Sequence, residues 1–378
     1  MKRAMAETTF IAEYRRIEAD MRSRVRTGQW RAGAMLPSRR DLAEQYSVSS
    51  VTINRALLPL ITDGLLRADD RRGTFVSDTD DTGASVVPCI FGIVAALTPD
   101  QVTQDAVIFR AMEQTLTDAG HTAALCNRAE DNTRALRPLA DSVKLLLAQK
   151  VDAIAVICLD LDRVQLEDEL KRIDFHGTPA VFILAGALRL PLTHIFYDNR
   201  IAGYQAAKHL LDAGYKELTV VAPFTASWVT ERLRGIEDAC LQAGLPPDAL
   251  HLIAGDAQPW SYQGDPVAIG HEATHAALLA GWTPRGGIIG LNDLVALGVI
   301  WTAEELGREI GRDYVVLGFD DHPSAEEYSL TTLRPPLEAM GREAVRLLGE
   351  ELAGGHNHQV RLRANLIQRA STEGRAMP

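Results

Sequence analysis

The first 76 residues alternate apolar and polar positions at a helical period. Apolar side chains recur every three or four residues at Phe10, Ile11, Tyr14, Ile17, Met21 and Val25. This spacing predicts an amphipathic helix over residues 9–27, which Gly28 ends. Two shorter helices are predicted after it. Ser38 can cap the first of them, with Asp41 in its first turn, and Ser49 can cap the second.

The third predicted helix has an apolar inner face and a polar outer face. Its inner positions are Ile53, Ala56, Leu57, Leu60 and Ile61, and its outer positions are Ser50, Val51, Asn54 and Arg55. Two short helices joined by a tight turn, the second exposing small and polar residues early, have helix-turn-helix geometry. Residues 65–68 and 74–76 then predict a β-hairpin, and its tip holds Arg71 and Arg72.

From Pro88 onward the pattern changes to short apolar runs separated by helical stretches. The runs are residues 90–94, 153–157, 180–184, 218–221, 287–289 and 314–319. Such runs predict an α/β fold with parallel sheets buried on both faces. A stretch of about 290 residues is large for one α/β unit, so we expect two lobes with a cleft at the carboxyl ends of the strands. The predicted boundaries are 1–76, a polar linker at 77–87, and 88–378.

The charge of the chain is divided unevenly between these segments. The net charge of −11 argues against nucleic-acid binding if it is spread evenly, because phosphate contacts need Lys and Arg. Residues 1–76, however, contain 14 Lys and Arg against 9 Asp and Glu, a net of +5. The rest of the chain carries −16. A small basic module therefore precedes a large acidic one.

Composition and motifs exclude several other classes of protein. The four cysteines form no C-x-x-C pair, which argues against a disulfide scaffold and a zinc ribbon. Neither a P-loop nor a dinucleotide-binding glycine motif occurs, so no cofactor is predicted. His356 and His358 have metal-like spacing but no third ligand nearby, so a solvated loop is the preferred interpretation and no metal is predicted. Without an apolar run of about 18 residues or a signal-peptide core, no membrane association is expected and the protein is predicted to be cytoplasmic.

Four separated motifs of the first module resemble a known family. The strings LPSRRDLA, VSSVTINRAL, DGLL and RRGTFV are similar to the winged helix of GntR-type transcriptional regulators over residues 10–76. The resemblance implies that the third helix and its flank read the major groove of DNA through Arg40, Ser49, Ser50, Thr52, Asn54 and Arg55. It also implies that the wing tip, Arg72 and Gly73, approaches the minor groove, where glycine lets the backbone come close.

One departure from the GntR pattern bears on DNA sequence preference. Many members carry Arg where this chain has Ser50, and often a second Arg at the position of Asn54. Arginine pairs with guanine in the major groove, whereas asparagine pairs with adenine. We therefore expect an operator preference that differs from the usual one.

The large module resembles the effector-binding core of LacI-type regulators, a fold shared with periplasmic sugar-binding proteins. The similarity covers residues 88–372 and is strongest from residue 194 onward, in strings such as GIIGLNDLVALGV and VVLGFDDHPSAEEYSLTTLRPPLEAMG. It implies ligand contacts by Arg232, three residues before Gly235, and by Asp293, which is expected to face it. A guanidinium donates hydrogen bonds to adjacent hydroxyl oxygens and a carboxylate accepts them from hydroxyls, which suits a polyol.

Four further candidates for ligand contacts in the core each have two possible interpretations. Arg334, before two prolines, is either a third ligand contact or a surface charge. Trp228, Trp260 and Tyr262 either stack on a sugar face or pack as core and lid residues.

Two groups of acidic residues in the core receive plain structural interpretations. Asp320 and Asp321 could pair for acid–base chemistry, but they are expected to mark the turn after a strand. A solvated helix start is expected at Asp160, Asp162, Glu167, Asp168 and Glu169.

The first lobe departs from its sugar-binding relatives at the end of one predicted strand. Where those proteins often place Asp-Arg in the cleft, this chain has Leu184-Ala185. One polar clamp is therefore missing. The ligand is expected to be less hydroxylated than a free hexose or to be held by other loops, such as residues 98–100.

Together the two resemblances imply a ligand-responsive transcriptional regulator, with a repressor favoured. It would bind a palindromic operator as a homodimer and sense a sugar or a related small molecule through closure of the cleft at crossovers near Asp198, Asp321 and Pro335. An ordered hinge helix is not expected, because the linker is acidic and contains Gly83. The alternative is an α/β enzyme with an accessory DNA-binding module, but the sequence contains no nucleophile–base pair or cofactor motif that would support it.

Overall fold

The structure, a computed structural model, describes most of the chain in two compact units that we treat separately. The described residues are 14, 16–25, 29–69, 73–77, 88–98, 103–129, 136–161, 163–260, 264–284, 286–353, 355 and 357–373. Several residues named above lie outside these ranges: Phe10, Ile11, Gly28, Arg71, Arg72, Pro99, Asp100, Asp162, Tyr262, His356 and most of the predicted linker, including Gly83.

The N-terminal unit contains the three predicted helices and the predicted hairpin. Its elements are α1 (16–25), α2 (Arg39–Gln45), α3 (Ser50–Thr62), β1 (Leu66–Asp69) and β2 (Gly73–Val76). The two strands pair antiparallel, with Leu66 opposite Val76. The core consists of Ile17, Met21, Leu36, Leu42, Ile53, Ala56, Leu57, Leu60, Leu66 and Val76. It includes four of the five apolar positions predicted to face inward on the third helix, and Ile61 packs against it partly buried.

Helix caps set the starts of α2 and α3 as predicted. The Ser38 hydroxyl accepts a hydrogen bond from the Asp41 backbone N–H at 3.2 Å, and the Asp41 carboxylate accepts one from the Ser38 N–H at 3.2 Å. This reciprocal pair is a capping box. The Ser49 hydroxyl accepts a hydrogen bond from the Thr52 N–H at 3.1 Å and so caps α3.

The first lobe of the large unit is built on a six-stranded sheet. Its strands are β3 (Ile90–Ala95), β4 (Thr122–Asn127), β5 (Ala153–Cys158), β6 (Ala180–Leu184), β7 (His194–Tyr197) and β15 (Gln359–Leu362), in the order β15-β7-β6-β5-β3-β4. Its helices are α4 (Gln104–Asp118), α5 (Leu139–Ala148), α6 (Arg163–Leu170) and α12 (Leu337–Leu352). β5 is buried along its whole length, as expected for a parallel strand covered on both faces.

The second lobe repeats this architecture. Its main strands are β8 (Leu218–Val221), β10 (Leu250–Ile253), β12 (Gly287–Gly290), β13 (Val315–Phe319), β14 (Thr331–Arg334) and β16 (Asn365–Ile367), in the order β10-β8-β12-β13-β14-β16. Two further strands of two residues each, β9 (Phe224–Thr225) and β11 (Gln258–Pro259), pair in parallel as a separate small sheet. The helices are α7 (Asn199–Asp212), α8 (Ser227–Gln242), α9 (Pro266–Leu279), α10 (Asp293–Glu305) and α11 (Pro323–Glu327). The predicted α/β fold with two parallel-sheet lobes is confirmed, and each of the six predicted strands is present.

The chain crosses between the lobes three times, always at the same edge of each sheet. It leaves the carboxyl end of β7 at Asp198, the carboxyl end of β14 at Pro335, and the carboxyl end of β15 at residues 363–364. Because β16 runs antiparallel to β14, its first residue also lies at the carboxyl edge of the second sheet. The carboxyl edges of the two sheets are therefore the edges that the crossovers join.

One of the predicted crossovers was wrong. Asp321 lies within the second lobe, in the turn between β13 and α11, and does not lead into the first lobe. The third crossover joins β15 to β16 instead. These strands are only four and three residues long and carry no long apolar run, so the sequence pattern did not reveal them.

Among the described residues, no helix combines the length and the apolar character that crossing a membrane requires.

Candidate functional site

The N-terminal unit exposes polar and basic side chains at the start of α3 and on α2. Arg40, Ser49, Ser50, Asn54 and Arg55 are all exposed. The Arg55 guanidinium lies 5.8 Å from the centre of the Tyr14 ring, which supports it from the start of the chain's first helix. These five side chains are therefore accessible as hydrogen-bond donors and acceptors, four at the N-terminal half of α3 and Arg40 on α2.

Thr52 was predicted to belong to this surface, but the structure buries it. Only 2% of the residue is exposed, and its hydroxyl lies 2.9 Å from the Ser49 hydroxyl. Thr52 stands at the third position of the helix, where the chain turns its side chain towards the cap and the core. We therefore correct its role to positioning Ser49.

The wing tip contains a glycine in a conformation that disfavours other residues. Gly73 has a φ of 115° and pairs with Asp69 at the end of the hairpin. A Cβ atom at this position would lie 3.6 Å from the Met35 sulfur, so packing allows a side chain and the backbone angle is the constraint. Arg72, the other predicted wing contact, lies outside the described residues.

In the large unit, Arg232 is the centre of a buried polar cluster. Its Nε donates to Asn199 Oδ1 at 2.8 Å and its Nη2 donates to Asp320 Oδ1 at 2.9 Å. Further hydrogen bonds run from the guanidinium to the Leu291 carbonyl and the Tyr197 hydroxyl. With 2% of the residue exposed, the guanidinium joins the end of β7 in the first lobe to the ends of β12 and β13 in the second.

The charge of Arg232 is maintained despite its burial. Burial disfavours the charged form, but Asp320 and the Tyr197 hydroxyl outweigh it and raise the pKa of Arg232 above its ordinary value. Burial in turn raises the pKa of Tyr197 to about 12, so its hydroxyl keeps its proton at neutral pH. The cluster is thus a guanidinium paired with one carboxylate and one neutral phenol.

Close packing of α7 on α8 fixes where Arg232 lies. A Cβ at Gly203 would be 2.0 Å from the Arg232 carbonyl oxygen, and a Cβ at Gly235 would be 1.8 Å from the Arg200 carbonyl oxygen. Only glycine permits backbones to approach this closely. The glycine three residues after Arg232 therefore has a structural cause, because it seats α8 against α7 with the arginine facing the strand ends.

Aromatic rings enclose the Arg232 guanidinium. The rings of Phe319 and Trp228 lie 4.4 and 4.7 Å from its central carbon. Trp228 in turn packs edge-on against Trp260, whose ring also packs edge-on against Phe224. Trp228 therefore packs against the Arg232 guanidinium, and Trp260 packs against Trp228.

The carboxylate that faces Arg232 is Asp320, so the prediction that Asp293 faces Arg232 was wrong. Asp293 is 1% exposed, and its carboxylate accepts hydrogen bonds from the His322 N–H at 2.8 Å and the Thr332 hydroxyl at 2.7 Å. Burial and the nearby charge of Asp320 raise its pKa well above the usual range. Asp293 therefore ties the turn after β13 to β14 and is already satisfied by protein groups.

Asp320 and Asp321 do form the predicted turn, but both also form ion pairs. They have φ angles of 101° and 50°, in the left-handed region. Asp321 accepts from Arg334 Nε at 2.5 Å and from Arg369 Nη2 at 2.8 Å. Arg334 is half-exposed at the second crossover, where this network holds it.

A second arginine–aspartate pair lies at the carboxyl edge of the first sheet. Arg128, after β4, donates from Nη1 to the two oxygens of Asp160, after β5, at 2.9 and 3.2 Å. The two side chains are 3% and 8% exposed. Asp160 was predicted to be solvated, and this was wrong because a cation that is distant in sequence pairs with it.

Comparisons with known proteins agree with this architecture. Residues 13–76 match the family described as bacterial regulatory proteins, gntR family, and residues 207–372 match the periplasmic binding protein-like domain. The HTH-type transcriptional repressor PurR of Photobacterium profundum is 30% identical over 261 residues, which cover 68% of this chain and 73% of that protein. The PurR repressor of Edwardsiella ictaluri is 27% identical over 70% of this chain and 75% of its own.

The chain belongs to the PurR- and LacI-type transcriptional regulators.

Solved structures of this regulator type share the fold of the large unit. A LacI family regulator from Enterococcus faecium with bound ribose has a TM-score of 0.57 at 22% identity, covering 76% of this chain and all of that one. The Lac repressor dimer bound to operator and the anti-inducer ONPF has a TM-score of 0.61 at 20% identity, covering 76% and 96%. The regulator thus combines a GntR-type DNA-binding domain with a LacI-type core, and the proteins it resembles are regulators, which agrees with the prediction that it is not an enzyme.

Several polar residues of the regulator's core escaped sequence reasoning. Asp320 was predicted only to mark a turn, and Tyr197, Asn199 and Arg128 were not predicted as site residues. Each of these residues ends or follows a strand at the carboxyl edge of a sheet. That position is the one signal in the sequence that could have identified them. For Tyr197, Asn199 and Arg128 the strands concerned, β7 and β4, were not predicted, so this signal could not be used.

Proposed function

We propose that this regulator binds a palindromic operator as a homodimer and that a neutral, hydroxyl-bearing effector, a carbohydrate by default, controls this binding from between the two lobes. The observation that carries the effector class is the Arg232–Asp320 pair beside Trp228 and Phe319. A guanidinium and a carboxylate supply donors and acceptors to hydroxyls, and aromatic rings cover the apolar face of a sugar. Ribose bound to the Enterococcus faecium regulator supports the same class.

The proposed effector contacts differ in one residue from the sequence prediction. They are Arg232, Asp293, Asp320, Trp228 and, at the second crossover, Arg334. Asp320 joins the predicted set because it is the carboxylate that bonds Arg232, whereas Asp293 bonds the His322 N–H and the Thr332 hydroxyl. Since Arg232 already holds Asn199 and Tyr197 at the end of β7, an effector that bonds to it would act on groups of both lobes at once.

The proposed DNA contacts come from the exposed surface of the N-terminal unit and from the wing. They are Arg40, Ser49, Ser50, Asn54, Arg55, Arg72 and Gly73, with Thr52 acting through Ser49. The Lac repressor bound to operator as a dimer supports two-fold binding, and the PurR relatives favour a repressor. Operator DNA also makes the cytoplasm the expected compartment.

The linkage between the two sites would run through the crossovers. Arg361 Nη1 bonds Asp198 Oδ2 at 3.1 Å, which connects the first and third crossovers, and Asp321 connects the second to the end of β16 through Arg334 and Arg369. Rotation of one lobe against the other would change the spacing of two DNA-binding domains in a dimer. The boundaries 1–76, 77–87 and 88–378 remain part of this proposal, and limited proteolysis of the full chain should cut first within 77–87.

The experiment is a thermal-shift screen of the full-length protein with D-ribose, other pentoses and hexoses, sugar acids and nucleosides. A cleft ligand stabilises the folded protein by mass action, by about 2.7 kcal/mol at one hundred times its Kd, and so raises the melting temperature. A compound that stabilises the protein should also change its affinity for a duplex selected from random sequence. If the compound stabilises Asp320→Asn as much as the wild type, the proposed effector site is contradicted. If the compound leaves the affinity for the duplex unchanged, the proposed linkage is contradicted.

A further inference from the structure

The carboxyl edge of the first sheet holds a second ionisable cluster that the Arg232 site does not use. Asp105 in the first turn of α4, Arg128 after β4 and Asp160 after β5 come together there, and each side chain is buried. Asp105 reaches the end of β3 directly, where its Oδ2 accepts a hydrogen bond from the Ala96 N–H at 3.1 Å. The cluster thus spans three neighbouring strand ends.

The cluster contains two carboxyl groups for one guanidinium. Arg128 bonds both oxygens of Asp160, and its Nε is taken by the Arg137 carbonyl at 3.1 Å. Burial raises the pKa of Asp105 to about 7; the Ala96 N–H and Arg128 oppose this rise, and the charge of Asp160 adds to it. The Cys158 thiol, a further ionisable neighbour, bonds to Asp160 and has a pKa raised by burial.

Hydrogen bonding at this strand end is incomplete. Among the residues that the structure describes, Asp105 receives one donor from outside its own backbone, the Ala96 N–H. The Thr98 hydroxyl, two residues further along, is buried and has no partner within the described part of the chain. Buried polar atoms are nearly always bonded in folded proteins, so the Thr98 hydroxyl leaves an unused hydrogen-bonding group at this edge.

We propose that Asp105 is the effector acceptor of the first lobe, taking a hydrogen bond from a hydroxyl or N–H group of the effector. This rests on the proposed function, since it assigns a further contact to the same effector. The Arg128–Asp160 pair lies beside the site. Burial and, to a smaller extent, the Asp160 carboxylate disfavour the charge of Asp105, and the donor of the effector offsets this cost. When the donor docks, the carboxyl proton of Asp105 leaves to solvent, and the O–H or N–H of the effector takes its place on the carboxylate without breaking.

Effector binding should therefore release a proton and strengthen with pH. If Asp105 is half protonated near pH 7 in the free protein and ionised in the complex, the apparent Kd falls about tenfold from pH 6 to pH 8. About half a proton is released at pH 7 by the same linkage. Titration calorimetry with D-ribose, and with each sugar or nucleoside of the screening panel, measures both quantities when it is run in two buffers of different ionisation enthalpy.

Asp105→Asn removes the ionisation and keeps an oxygen for the Ala96 N–H. In this variant the Kd should not depend on pH between 6 and 8, and at pH 8 it should be several-fold weaker than in the wild type. The control is Asp168→Asn, which removes an exposed carboxylate of the same lobe and should keep the wild-type pH dependence.

A ligand-free measurement tests the titration by itself. A raised carboxyl pKa means that the folded state holds its proton more tightly than the unfolded state, so the stability contributed is full at low pH and is lost as pH rises from about 4 through 7. The melting temperature of the wild type relative to Asp105→Asn should therefore fall between pH 5 and pH 8.

The outcomes separate this proposal from the function on which it rests. A panel compound that binds wild type and Asp105→Asn with the same affinity at both pH values overturns the role of Asp105 and leaves the effector site of the second lobe standing. Identical pH profiles of the two melting temperatures overturn it without any ligand. If no compound of the panel binds at either pH, the carbohydrate class fails, and the acceptor role fails with it.

Discussion

At the scale of single residues, the fate of each polar side chain depends on whether a partner reaches it. Arg232 is nearly as buried as the hydrophobic core, yet it stays charged because Asp320 and Tyr197 bond to it. Asp293 has a similar position after a strand, but Thr332 and His322 take both of its oxygens. Asp293 and Asp320 are the same residue type and both follow a strand of the second lobe. They differ only in the neighbours that bond to them.

Removal of the Arg232 guanidinium should destabilise the large unit and abolish effector binding. Arg232→Ala leaves Asp320 without its cation and opens a space between Trp228 and Phe319, so we expect a loss of about 3 kcal/mol in the free energy of unfolding. Urea denaturation followed by tryptophan fluorescence measures it.

The matched control is Arg234→Ala on the same helix. Its guanidinium forms an exposed ion pair with Glu231, so its removal should change stability by less than about 1 kcal/mol. Equal losses of stability in the two variants would show that the Arg232 cluster contributes nothing specific.

At the scale of secondary-structure elements, local signals and long-range packing act on different features. The caps of α2 and α3 depend on bonds between residues three apart, and Ser38 and Ser49 were identified correctly from the sequence. The approach of α7 to α8 depends on residues 32 positions apart, Gly203 and Gly235, and no local pattern marks it.

A methyl group at the contact of α7 and α8 should be poorly tolerated. Gly235→Ala places a Cβ 1.8 Å from the Arg200 carbonyl oxygen, so the helices must separate and carry Arg232 with them. We expect a loss of about 3 kcal/mol in stability, together with a weaker effector response.

Gly349→Ala on α12 is the control for that change. A Cβ there meets nothing within 4 Å, so the substitution should stabilise the protein by about 0.5 to 1 kcal/mol through helix propensity. Thermal melts of both variants decide the matter: similar shifts of the melting temperature would contradict the close-approach argument.

At the scale of the whole molecule, charge is segregated between the two modules. The net charge of −11 conceals +5 on residues 1–76 and −16 on the rest. An acidic core repels DNA, so in the proposed dimer the affinity would come from the two small basic domains acting together. A monomeric form of the regulator should therefore bind its operator poorly.

Operator binding should fall steeply with salt, and Arg55 should contribute to the slope. Each phosphate contact that a substitution removes lowers the slope of log K against log salt by about 1, so Arg55→Ala should lower it by about 2 in a dimer if both copies contact phosphate. Fluorescence anisotropy with a selected duplex, between roughly 50 and 300 mM salt, provides the measurement.

Arg172→Ala removes one exposed positive charge from the large unit and serves as the comparison. It should leave the slope unchanged. A slope that changes equally in both variants would mean that net charge, and not contact at α3, sets the affinity.

The sequence alone determined the features that depend on nearby residues or on continuous apolar patterns. The helix caps, the hairpin, the six apolar strands and the division into a basic and an acidic module could all be predicted from it. These signals are local because backbone geometry and burial period act over a few residues.

The tertiary structure alone decided which charged residues meet. It paired Arg232 with Asp320, joined Arg128 to Asp160, and turned Thr52 inward. Those contacts depend on the order of strands in each sheet and on the close approach of helices, which bring together residues up to 88 positions apart. An apolar period indicates that a segment is buried, but it carries no information about which strand lies beside it.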